Sequence, residues 1–239
     1  MTDLDPKTLD RVRKLLAKAE HPGTPAHEAE AFSAKASALM ARYAIDQALL
    51  EAAGDTRSEP VVRQIDVDPP YALPRAVLLT RVASAHRVRV VIGPDAPSGA
   101  RQCTLVGFAI DIDVVEVLFT SLLLQASSAM LAASRQHPRP KAFRRAFLLG
   151  YAETIGARLA CVRDETDAEA ETAHAGSALV LAGRSADVDA EFARRFPHLR
   201  SLRMTTSSGG GLAAGRAAGA RADLASGAKV GAANARQLR

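Results

Sequence analysis

Apolar positions recurring every three or four residues dominate the first fifty positions of the chain. Leu9, Val12, Leu15, Leu16 and Ala19 fall on one arc at about 100° per residue, which predicts an amphipathic helix. Asp5 stands at its N-cap and Pro6 in its first turn, and His21-Pro22-Gly23-Thr24-Pro25 breaks it. Phe32, Ala36, Leu39 and Tyr43 form the seam of a second helix over 25–44, capped by Thr24; Asp46 opens a short third that ends at Gly54. Residues 1–57 therefore read as a helical hairpin module, with 54–60 as its linker.

The pattern then changes. Residues 61–67 alternate as a strand does, and Pro69-Pro70 ends it. Residues 74–86 read as a helix. Residues 87–92 and 103–108 are β-rich and flank a Gly/Pro/Ser/Asp loop, which predicts a hairpin. A long helix is expected from Ile110 into the 130s, a break over 135–140, and a further helix over 140–171. In that last helix Phe143, Phe147, Tyr151, Ile155 and Leu159 stack four apart. Residues 178–181 read as a short strand, Ser185 as the cap of a helix through Phe196, and 199–205 as a last strand. The mixture predicts an α+β fold: the hairpin module, a middle domain over 58–206 with a small antiparallel sheet and long helices, and a tail over 207–239.

Composition refines this. Aromatics make up 4% with no Trp, so 49 Ala and the aliphatics must build the core. The net charge of +5 is lopsided. Positions 197–239 hold seven Arg/Lys and one acid, Asp223, while the other 196 residues hold 24 basic and 25 acidic ones. A basic tail favours polyanions, or serves as a solubilising end. Cys103 and Cys161 form no C-x-x-C pair and read as small buried hydrophobes. Residues 117–133 carry no formal charge but include Thr120, Ser121, Gln125, Ser127 and Ser128, which favours a buried helix over a membrane span. The acidic first residues lack an apolar signal core, so a cytoplasmic location is the expectation.

Arg13 through Glu20, Glu28-Ala29-Glu30-Ala31, Lys35-Ala36 and Leu39 through Asp46 carry a resemblance. They resemble a short module of bacterial and phage proteins, domain of unknown function 2786. Leu105-Val106-Gly107-Phe108, Asp111-Ile112-Asp113 and Phe147 through Tyr151 are similar to the larger domain that often follows it. The ending Ala214 through Gly219 is similar to endings of the same group. Ala44 stands where a Gly is common in that module. The resemblance implies architecture and brings no reaction or catalytic residue with it.

Several constellations bear on chemistry. Lys7, Arg11, Lys14 and Lys18 are spaced four, three and four, so they form a cationic stripe opposite the apolar arc. Such a stripe either tracks a phosphate backbone or is a solvated helix face. No aromatic or amide residue interleaves it, so it would not read bases. Arg135, Arg139, Lys141, Arg144 and Arg145 crowd a helix start, where cations oppose the dipole. The acidic run Asp164, Glu165, Asp167, Glu169 and Glu171 is a candidate counterweight, by folding back or by meeting a second subunit, with internal pairing the expectation; an anionic partner is the other. Asp111 and Asp113 read as capping carboxylates before an apolar helix, or as metal ligands with His86 and Glu116 nearby. His27-Glu28 has Ala31 where a zinc-protease motif needs histidine, and no nucleophile elbow or phosphate loop occurs. Gly211, Gly215 and Gly219 recur every four residues; if helical they line a face for close backbone approach, on the protein's own body or on a partner, and otherwise the tail is disordered.

The leading expectation is a non-enzymatic binding module for nucleic acid or a nucleic-acid-associated partner. Lys7, Arg11, Lys14, Lys18, Arg216 and Arg221 would supply phosphate contacts, with no membrane and no cofactor involved. The alternatives are a metal-dependent hydrolase built on His86, Asp111 and Asp113, and a structural homo-oligomer or phage accessory protein joined through the apolar helix.

Overall fold

The computed structural model describes residues 58–135, 137–199, 209–222 and 224, together with Lys14, Leu15, Lys18, Leu39, Ala44, Ile45, Ala48, Leu49 and Ala52. The described elements run β1 (Val61–Val67), α1 (Ala72–Ala85), β2 (Arg89–Asp95), β3 (Arg101–Gly107), α2 (Ala109–Ser134), α3 (Pro140–Ala173), α4 (Ser177–Arg195) and α5 (Gly210–Arg221). The fold is α+β, helices predominating over a small sheet. The sheet order is β1-β3-β2, antiparallel throughout, with Val61 opposite Gly107 and Arg89 opposite Val106. β3 is central, and alternation splits its side chains between two faces. Cys103 and Leu105 join the main core, while Val106 meets Val188 and Phe108 on the other side.

The main core lies between the sheet and α1, α2 and α3. Leu78, Leu79 and Val82 of α1 pack with Val115 and Leu122 of α2, and with Phe147, Tyr151 and Ile155 of α3. The four-residue stack on α3 is buried as its spacing implies, from Phe143 to Leu159. α2 is the one helix among the described residues long and apolar enough to cross a bilayer. Ile112, Val114, Leu118, Ala126 and Met130 face the core, and Leu124 and Leu131 face out. Cys103 is buried, and its thiol is pushed up to about 11 by burial; Cys161 is exposed, against the expectation that both would be buried.

The region of α4 departs from the sequence reading. Residues 178–181 are not a strand but the first turns of α4, which runs unbroken from Ser177. A short apolar run reads alike in strand and helix; the start is decided by Gly176, left-handed at φ 95, and by Glu171, whose carboxylate accepts from the backbone N–H of Gly176 and Ala178. Ser185, expected as a cap, sits inside that helix and donates its hydroxyl to the Leu181 carbonyl. The expected strand over 199–205 lies outside the described residues beyond Leu199.

In the tail the helical alternative holds: residues 210–221 form a helix seated on the protein's own body. α5 lies against the N-terminal half of α3 at a distance only glycine permits. A Cβ on Gly215 would stand 2.0 Å from the Phe147 carbonyl oxygen, and one on Gly150 would stand 2.3 Å from that of Leu212. Arg158 donates to the carbonyls of Gly219 and Ala222 at the end of α5, and Leu224 is buried beyond it. Gly227 and Gly231, which resume the four-residue repeat, lie outside the described residues. The N-terminal module contributes Ile45 and Ala48, which bury against Leu181 of α4.

Candidate functional site

Charge is segregated along α3. Its 34 residues span about 51 Å at 1.5 Å each. Arg139, Lys141, Arg144 and Arg145 stand in and before the first turns, where there is no acidic residue and no side-chain cap. Arg144 donates to the Ser134 hydroxyl at 2.8 Å, and the Arg139 backbone N–H donates to His137 Nδ1. His137 in turn packs against Phe143, the rings tilted by 36° with centroids 4.5 Å apart. Lys141 and Arg145 are exposed and line a groove of about 680 Å³ whose other walls are the start of α1, at Tyr71 and Leu73, and the β2–β3 hairpin at Asp95 and Arg101. Arg101 is held by Asp95 at 2.7 Å and by the Gly93 carbonyl.

The acidic run does not neutralise that end. A continuous helix places Asp164 about 28 Å from Arg145, so the expected internal pairing is excluded by rigid geometry. Asp164 pairs with Arg163 at 2.7 Å, Asp167 with Arg87, and Glu171 is drawn below the usual carboxylate range by the backbone N–H groups of Ala178 and Gly176. The basic end keeps its cations for solvent or a partner.

The other expected phosphate contacts divide. Lys14 and Lys18 are helical and exposed, each engaged in an interaction within the chain. Lys7 and Arg11 lie outside the described residues. Arg216 forms a two-pronged pair with Glu153, at 3.1 Å from Nε and 2.9 Å from Nη2, and Arg221 is exposed in the last turn of α5.

His86, Asp111 and Asp113 part company. Phe108 is the N-cap of α2. Asp111, in the first turn, complements the helix dipole and pairs with Arg184 at 3.3 Å. Asp113 instead binds Arg63 at 2.6 Å, next to Glu116. His86 and Asp111 do line one cleft, between the end of α1, α3 and α4, roofed by Ala44 and Ile45. The His86 Nε2 is sealed from solvent without a hydrogen-bond partner. Burial, reinforced by the positive potential of Arg87 and Arg163, pushes this imidazole down to about 4, so it is neutral at pH 7. Among the described residues no three His, Cys, Asp or Glu side chains are grouped to hold a metal.

Arg184 and Arg87 escaped the sequence reading. Arg184 carried a signal: it shares the buried stripe of α4 with Leu181 and Val188, and a cation at such a position needs a partner. Its guanidinium lies 3.6 Å over the Phe108 ring. Arg87 carried none, because its partner Asp167 is 80 positions away.

With fold and clefts in view, the chain is an α+β protein with a cationic groove at one end of its longest helix and a cleft with a buried histidine towards the other. Residues 7–47 match the family model described as Protein of unknown function (DUF2786), so the N-terminal module is of that type. No curated protein and no solved structure matches the chain.

Proposed function

We propose that this protein is a non-enzymatic binding module for nucleic acid, or for a partner that carries it, and that it holds the phosphate backbone without reading bases. The observation that carries this reading is the start of α3. Lys141 in the first turn and Arg145 in the second are set against the helix dipole, have no acid beside them, and open onto a groove of about 680 Å³. Phosphates placed there gain from the cations and from the helix N-terminus at once, with counterion release as the driving term. Lys7, Arg11, Lys14, Lys18 and Arg221 would extend the contact; Arg216 would first have to leave Glu153.

The test is binding to generic single- and double-stranded DNA and RNA from low to physiological salt. Affinity should fall steeply with salt, and Lys141→Gln with Arg145→Gln should lower the slope by about 2. Absence of binding at low salt, or a salt slope untouched by that pair and by neutralising Lys7, Arg11, Lys14 and Lys18, removes the reading.

The hydrolase alternative keeps His86 and Asp111 in a shared cleft but loses Asp113 to Arg63.

A further inference from the structure

The cleft at the end of α1 has polar features that packing alone does not require. Arg87 follows His86 in the left-handed region, at φ 58, while the Val88 N–H closes back on the Ala83 carbonyl. That is the position after a helix where glycine is usual and a long side chain is disfavoured. The guanidinium so placed is largely buried. Among the described residues it donates once, from Nη2 to Asp167, which leaves Nε and Nη1 for another acceptor. Beside it is the His86 Nε2, sealed and unpartnered.

Leu159, Val162, Leu181 and Ile45 form apolar walls around these two groups. The cleft measures about 50 Å³, far smaller than the groove. That suits a molecule of a few heavy atoms and is too tight for a nucleotide. The lining holds three arginines and two aspartates: Arg87 pairs with Asp167 and Arg184 with Asp111, while Arg163 pairs with Asp164 outside the lining. The lining's own carboxylates leave one positive charge over, which suits a monoanion better than a dianion.

We propose that this cleft binds a small carboxylate-bearing molecule, its carboxylate held by the guanidinium of Arg87 beside the buried imidazole of His86, with its short apolar tail against Leu159, Val162 and Leu181. The positive potential that Arg87 and Arg163 impose on the imidazole favours such an anion. The site is separate from the basic groove and stands or falls independently of nucleic-acid binding.

The experiment is a titration of the full-length, ¹⁵N-labelled protein with butyrate, butanamide and inorganic phosphate, read on the histidine imidazole nitrogens. Butyrate should shift one imidazole saturably, with the amide and phosphate at least about tenfold weaker. Arg87→Gly suits the left-handed backbone and should weaken butyrate about tenfold; Arg87→Lys, which keeps the charge without the fork, should weaken it severalfold. No saturable shift, an equal response to butanamide or phosphate, or undiminished binding in both variants overturns the proposal.

Discussion

The two ends of α3 carry charge of the wrong sign for a helix, cations at the N-terminus and carboxylates at the C-terminus. Such a charge costs about 0.3–1 kcal/mol when it lies in the first or last turn, as Lys141 and Glu171 do. The C-terminal end meets that cost inside the molecule. Asp164 and Asp167 have arginine partners, and Glu171 serves the first turn of the next helix, though Glu165 and Glu169 stay exposed. The N-terminal end does so only for Arg144, through Ser134, and turns Lys141 and Arg145 to an open groove. Packing differs in the same sense: glycine contacts with α5 brace the basic half, while the Arg87–Asp167 ion pair ties the acidic half to the end of α1 and backbone hydrogen bonds to Glu171 tie it to the start of α4. Charge whose cost is met internally belongs to the fold, and charge left facing a groove is open to a partner.

The largest expected effect comes from breaking the brace under the basic half. Gly215→Val drives a side chain into the Phe147 carbonyl and should destabilise by about 3 kcal/mol in urea unfolding. Gly183→Ala on α4, where a Cβ meets nothing within 4 Å, should instead stabilise by about 0.5–1 kcal/mol. The acidic half should respond to pH through His86. Its folded value, about 4, lies below the ordinary 6.5, so between these two the unfolded chain binds the proton and the folded one does not. Stability is then full above about pH 6.5 and falls as pH drops through the window, by up to about 3 kcal/mol. His86→Phe should flatten that part of the profile. Next, Asp167→Asn leaves Arg87 without its charge partner and should cost about 1–2 kcal/mol. Smallest of all, Lys141→Gln with Arg145→Gln should move stability by no more than about 0.5 kcal/mol, upward if either way, because the cations oppose the dipole. A large loss from this last pair would erase the distinction between the two ends.

The helices of the middle region were legible because long periodic segments announce themselves. The stack from Phe143 to Leu159, the apolar run of α2 and the hairpin of β2 and β3 all follow from spacing and turn chemistry. The start of α4 was misread because Ala178-Leu179-Val180-Leu181 is too short for its period to speak, and the deciding carboxylate of Glu171 belongs to the preceding helix. The glycine repeat at 211, 215 and 219 showed that a close approach was possible without saying to what. The site was less legible: Asp111 and Asp113, two apart, looked like one pair, yet helical geometry sends them to Arg184 and Arg63.

The chain by itself determined what is local: where helices run, which of their faces are apolar, and that cations gather at one end of α3 and acids at the other. These are consequences of backbone geometry and of side chains a few residues apart. Only the tertiary structure decided which charges found partners, because the pairs of Arg87 with Asp167, Arg184 with Asp111 and Arg216 with Glu153 join positions more than 60 apart. It likewise decided that α5 closes on α3, since backbones in contact depend on which helix arrives at the glycine face, and no local preference encodes that.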